Sequence, residues 1–142
     1  MKHDLTHFIQ AQSFTYQQVF KELTMGYKGS HWMWFIFPQF EGLGRSPTAK
    51  KYSIKSREEA EAYLAHPLLS ERLIECCQLL LNVENKSTYE ILGYPDDVKL
   101  QSSMTLFKIV SNESIFQKVL DKYFEGEEDI RTIELLKSKQ SK

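Results

Sequence analysis

Lys99 and Ser103 stand four residues apart in the run Asp96-Asp97-Val98-Lys99-Leu100-Gln101-Ser102-Ser103. On a helix that spacing brings an amine beside a hydroxyl, the arrangement in which a lysine base activates a serine nucleophile. The plainer role for such a serine is to let another helix approach closely or to bond back to its own backbone. At 3.6 residues per turn Asp96, Lys99, Ser102, Ser103 and Leu106 share an arc of roughly 120°, beside an apolar face made by Leu100, Met104 and Phe107. Asp96 and Asp97 also suit the start of that helix, where capping and the dipole favour carboxylates. A third group with chemistry near neutral pH is the imidazole of His31.

His31 opens the run His31-Trp32-Met33-Trp34-Phe35-Ile36-Phe37-Pro38-Gln39, which contains both tryptophans of the chain. The run is about half as long as a membrane-spanning helix, and Pro38 would break such a helix. It therefore reads as the anchor of a soluble core, with aromatic side chains supplying large buried area. The imidazole at one end and the Gln39 amide at the other must find hydrogen-bond partners, either inside the core or in a ligand.

Lys28 precedes this run, and Gly42-Leu43-Gly44-Arg45-Ser46-Pro47 follows it. Glycines before a helix start let backbone N–H groups approach an anion. From Arg45 to Arg57 the chain carries Lys50, Lys51 and Lys55 and no acidic residue, so positive charge is concentrated locally. The pattern is not a dinucleotide fingerprint, because Pro47 occupies the place of the third glycine and no strand precedes it. A tight turn leading into a solvated basic helix is the simpler account. The candidate set is thus His31, Lys99 and Ser103 for catalysis, with Lys28, Trp34, Gln39, Gly42, Gly44, Arg45, Ser46 and Asp97 for binding an anionic small molecule.

The elements that must position these groups are helical. Thr15 is placed to cap a segment with Tyr16, Val19, Phe20 and Leu23 at helical spacing, ending near Gly26. Ser46-Pro47 combines an N-cap with proline at the first helical position, and Ser56…Glu59 and Ser87…Glu90 both fit the capping box. His66-Pro67 starts a longer helix with Leu68, Leu69, Leu73, Cys76, Leu79 and Leu80 along its face. Pro95-Asp96-Asp97 opens the next, Ile115 to Tyr123 forms another before Gly126, and Ile130 to Leu136 forms a short last one. The expectation is an all-α, single compact multihelical domain over residues 1–142, with its core at about 5–136 and a frayed polar tail at 137–142.

The 142 residues, 42% of them hydrophobic and 13% aromatic, suffice for one core without disulfides. A net charge of -1, from 18 basic and 19 acidic residues, gives no global attraction to nucleic acid or to an anionic membrane. The aromatic residues form an apolar run and do not interleave with the basic stretch, which also argues against nucleic-acid binding. Cys76 and Cys77 are adjacent, a poor geometry for a structural disulfide on a helix, so a reducing cytoplasmic setting is expected. No signal-like leader and no run of 18 apolar residues is present, so no membrane association is expected. No Cys/His cluster has ligand spacing, and His3 and His7 lack the glutamate of a zincin, so neither a metal nor a cofactor is expected.

Lys28, the run from His31 to Gln39, Gly42-Leu43-Gly44-Arg45-Ser46, Tyr63-Leu64-Ala65-His66-Pro67, Asp96-Asp97-Val98-Lys99 and Ser102-Ser103-Met104-Thr105-Leu106-Phe107 together resemble the motifs of the bacterial family called domain of unknown function 1810. The resemblance spans about residues 5 to 136 and implies an all-helical single domain, with no established activity. Gly93-Tyr94-Pro95 departs from the family pattern, in which Ser or Ala stands before the proline. Members often carry the label calpastatin, whose inhibitory segments are disordered, repeated and poor in aromatics; this chain has none of those properties. The run from Asp97 through Lys99 to Phe107 is also similar to a segment of a helical family acting on ADP-ribose-linked N-glycosidic bonds. Two functions remain open. One is a small-molecule site, enzymatic or not, for a phosphate-bearing, nucleotide or ADP-ribose-like ligand. The other is a protein-interaction module without catalytic activity, and convergence of Lys28, His31, Arg45, Lys99 and Ser103 on one pocket separates them.

Overall fold

A computed structural model describes residues 3–140, with side chains through 138, and contains ten α-helices among these residues. The sequence signals explain most of the boundaries. Helix α1 (Thr6–Ser13) precedes α2 (Tyr16–Met25), which ends at Gly26 in the left-handed region at φ 75°, a conformation glycine adopts without strain. Thr15 makes no side-chain cap at the start of α2, contrary to expectation, and α1 itself lacks the capping signals that mark the later helices. Helix α3 (Met33–Ile36) is a single turn inside the aromatic run, and α4 (Pro47–Lys51) begins with Ser46 accepting a hydrogen bond from Ala49 N–H.

Helix α5 (Arg57–Ala65) is capped by Ser56, but Glu59 accepts from Lys55 N–H, one residue earlier than a capping box requires. Helix α6 (Pro67–Asn82) starts where His66 Nδ1 accepts from the Leu68 and Leu69 amides, and α7 (Thr88–Leu92) carries the complete Ser87–Glu90 capping box. Helices α8 (Asp96–Ile109), α9 (Ile115–Phe124) and α10 (Ile130–Gln140) complete the chain. Helix α10 continues past Leu136, so residues 137–140 are helical instead of frayed; residues 141 and 142 lie outside the described part. Among the described residues β-type pairing is limited to an isolated parallel bridge between Phe40 and Ile54.

Helix α8 is the hub, packing against α5, α7, α9 and α10, while α6 packs against α2, α5 and α9. From Ser102 to Phe107 every α8 residue is buried, as expected of a helix surrounded by others. Its hydroxyls are short enough to admit close neighbours: Thr105 Oγ1 donates back to Gln101 O, and Ser103 Oγ is fully buried with no hydrogen-bond partner. The core is one contiguous cluster running from Leu5 to Leu136, in which Trp32, Phe37 and Phe40 join Phe8, Tyr63, Phe107 and Phe116. The buried Gln12 amide ties the aromatic run to this cluster, donating to Phe35 O at 2.7 Å and to Tyr63 Oη at 3.1 Å. Among the described residues no helix is long and apolar enough to cross a membrane.

Candidate functional site

The segment between α2 and α3 meets the segment between α7 and α8. Lys28 N–H donates to Ile91 O in α7 at 2.7 Å, and the Lys86 side chain donates from Nζ to Gly26 O at 3.0 Å, so the loop after α2 is tied to α7 and to the segment that leads into it. Glu22 fixes the shape of the first loop. Its buried carboxylate accepts from Gln18 Nε2, Gly29 N, Ser30 N, Ser30 Oγ and Trp32 Nε1 at 2.6–3.2 Å. Burial opposes its ionisation, but the hydrogen bonds from Ser30, Gln18, Trp32 and Gly29 outweigh burial and hold its pKa down at about 2. A permanent negative charge inside the fold thereby organises the turn that presents Lys28, Ser30 and His31.

A cavity of about 380 Å³ opens where the two loops meet, lined by Lys28, Ser30, His31, Trp34, Asp96 and Lys99 among others. Asp96, in the first turn of α8, is shared by two ammonium groups: Lys28 Nζ lies 2.8 Å from one carboxylate oxygen and Lys99 Nζ lies 3.6 Å from the other. Two lysines against one aspartate leave a net positive charge facing the cavity. Both ammonium groups also stand over indoles, Lys28 at 5.2 Å from the Trp32 ring centre and Lys99 at 5.3 Å from that of Trp34. The Lys28 side chain is only 7% exposed, so its position is set by packing as much as by charge. His31 is exposed at the rim, and its ring has no hydrogen-bond partner among the described residues.

A second cavity of about 320 Å³ adjoins the first, sharing Tyr94, Pro95 and Lys99 with it. Gln39, Gly44, Ser102, Asp129 and Arg131 line the rest of it together with the apolar side chains of Leu43 and Val98. Asp129 precedes α10 and is held by that helix and by α8: its Oδ2 accepts from Ser102 Oγ, Thr132 N and Thr132 Oγ1 at 2.6–3.2 Å, and its own N–H donates to Thr105 Oγ1.

The structure therefore gathers Lys28, His31, Trp34 and Lys99 at one cavity and places Gln39 and Gly44 at its neighbour. Trp34 is half-buried as a wall of the cleft, whereas Trp32 is fully enclosed. Other candidates stand elsewhere. Ser103 is fully buried inside α8 and lines neither cavity, and Lys99 turns to Asp96 and Trp34, so no lysine–serine pair forms. Arg45 is exposed and lines neither cavity. Ser46 is consumed as the cap of α4, and Asp97 accepts from Val98 N–H within its own turn. Gly42 borders a separate cavity with Lys50 and Lys55.

Sequence reading passed over Glu22, Tyr94, Asp129 and Arg131 and chose Asp97 where the structure uses Asp96. Glu22 did carry a signal, since it lies on the stripe of Val19 and Leu23 where a charged residue is costly unless bonded. Asp96 is three residues before Lys99, the spacing for a pair along one helix face. Asp129 and Arg131 carried none, because only tertiary packing brings α10 beside α8.

Among the described residues no group of three or more His, Cys, Asp or Glu is placed to hold a metal ion. Comparison with curated proteins gives no match. Among solved structures, the fold matches the crystal structure of the conserved hypothetical protein Rv1873 from Mycobacterium tuberculosis, with a TM-score of 0.92 and 51% identity over 94% of this chain and 96% of that one. The motifs shared by the two cavities are thus carried on a fold found in another conserved protein, and with residues 2–136 matching its description, the chain belongs to the family of proteins of unknown function DUF1810.

Proposed function

We propose that the cleft of Lys28, His31, Trp34 and Lys99 binds a phosphate-bearing small molecule of the nucleotide or ADP-ribose type. The observation that carries this reading is the pair of lysines shared by Asp96, fixed in place and leaving excess positive charge beside an indole. An anion entering the cavity gains charge-assisted hydrogen bonds from ammonium groups already oriented by the protein, while a planar base finds an aromatic surface on Trp34. Ser30 Oγ is committed to Glu22, which leaves His31 as the group at the rim able to move a proton to or from a bound ligand. A reducing bacterial cytoplasm accompanies this reading, supported by the free buried thiols of Cys76 and Cys77 and by the mycobacterial relative.

Thermal-shift and calorimetric titrations with inorganic phosphate, AMP and ADP-ribose test it. A rise in Tm at millimolar ligand is expected, and Lys99→Met and His31→Ala should keep the unliganded Tm while removing the shift. Absence of any shift in the wild type overturns the small-molecule reading. A protein-docking role is then favoured by the exposed apolar side chains beside the cleft, Tyr94 at 75% and Val98 at 48% exposure.

A further inference from the structure

The first cavity accounts for an anion and a planar ring, but not for the second cavity that shares Tyr94, Pro95 and Lys99 with it. Each cavity alone lies at the low end of the roughly 300–1,000 Å³ typical of ligand pockets. Tyr94, Pro95 and Lys99 belong to both walls, so the two cavities adjoin across Lys99.

The polar groups of the second cavity have a different character from those of the first. The Gln39 side-chain amide is half-buried and has no protein hydrogen-bond partner among the described residues, leaving both a donor and an acceptor open. Asp129 directs all its bonds from Ser102 and Thr132 to Oδ2, and its Oδ1 receives no protein donor. Arg131 likewise has no protein partner. A carboxylate with an open oxygen repels a second phosphate and accepts strongly from a neutral hydroxyl. An amide beside it serves a neighbouring hydroxyl as donor and acceptor at once.

We infer that the second cavity is a hydroxyl-recognising subsite, so that the ligand of the cleft is a nucleoside diphosphate carrying a sugar. This rests on the anion-binding reading of the first cavity. The ring and first phosphate sit against Trp34, Lys28 and Lys99; the diphosphate passes Lys99 and Tyr94; and sugar hydroxyls meet Asp129 Oδ1 and the Gln39 amide, with Arg131 at the outer edge of the second cavity, away from the first phosphate.

Isothermal titration of AMP, ADP-ribose and ADP-glucose into the wild type, into Gln39→Ala/Arg131→Ala and into Asp129→Asn tests it, with Tm recorded for each. The wild type is expected to bind at least one ADP-sugar tenfold or more tightly than AMP. The double variant should lose that advantage and bind AMP within twofold of the wild type. Asp129 also caps α10, so Arg131→Ala alone, altering an exposed side chain, serves as the control if Asp129→Asn lowers Tm. If AMP binds and neither ADP-sugar binds more tightly, the hydroxyl subsite is overturned and the anion site stands. If the double variant weakens AMP and ADP-sugars equally, the second cavity is not a separate subsite. If none of the three binds, both readings fall.

Discussion

Lys28 Nζ and Asp96 Oδ2 stand 2.8 Å apart with their side chains 7% and 17% exposed, so a cation from the loop after α2 and an anion from the first turn of α8 neutralise each other out of contact with most of the solvent. The pair is asymmetric. Asp96 keeps a second partner in Lys99 at 3.6 Å if Lys28 is lost, whereas Lys28 has no other carboxylate if Asp96 is lost.

Asp96→Asn is therefore expected to be the more damaging change, costing about 3–5 kcal/mol by leaving a buried ammonium unpaired. Lys28→Met retains the aliphatic packing of the stem and should cost less. Urea midpoints of the two variants at neutral pH check the order, and equal midpoints would show that the ion pair contributes little.

Glu22 gives the fold an acid-sensitive component. Its folded pKa of about 2 lies below the ordinary glutamate value of 4.5, so between these values the folded state holds fewer protons than the unfolded chain. The stabilisation is complete above about pH 4.5 and is lost as pH falls toward 2. Glu22→Gln should flatten the decline of Tm across that window. At neutral pH it should also cost about 3 kcal/mol, because the single oxygen of the introduced amide cannot accept both from Trp32 Nε1 and from Ser30 Oγ and Gln18 Nε2, which meet opposite carboxylate oxygens.

Cys76 and Cys77 are expected to be unreactive in the native protein. Burial pushes the Cys76 thiol up to about 12 and Cys77 well above its usual value, which leaves almost no thiolate at neutral pH. Labelling with iodoacetamide followed by mass spectrometry should show modification only as urea opens the α6 region; fast labelling in buffer alone would contradict the packing around α6.

Gly44 lies against α4 so closely that a Cβ added to it would stand 2.4 Å from Ala49 Cβ. Gly44→Ala should destabilise the protein by about 1–3 kcal/mol, and Ala49→Gly in the same chain should restore most of the loss. Because Gly44 also lines the second cavity, the thermal melt of the double variant separates a packing effect from any effect on binding.

The sequence made the helical framework readable wherever the capping residue and the helix it starts are adjacent, as at Ser46, His66 and Ser87. The segment from Tyr16 to Gly26 is also the helix its spacing predicts, although Thr15 makes no side-chain cap, while sequence reading passed over α1, where Asp4 Oδ1 accepts from Thr6 N–H. Site residues follow the same division. His31 and Gln39 were legible as polar ends of an apolar run that required partners, and each now lines a cavity. The Lys99–Ser103 spacing leaves open both a base–nucleophile pair and the plainer packing role for Ser103; helix spacing fixes direction around one axis but not which neighbour covers that direction. Here the surrounding helices cover Ser103, and the cleft opens beyond Lys99.

The clamp that Gln12 and the core place on Phe35 makes the aromatic run a strut of fixed length. Its middle cannot slide, since Trp32, Met33, Ile36 and Phe37 are locked among other side chains, while its two ends emerge at neighbouring openings. The gap between His31 and Gln39 is consequently gauged by interior packing and not by loop mobility. A ligand of the proposed cleft would meet two rims set at a fixed span, with little conformational freedom of the protein left to surrender on binding.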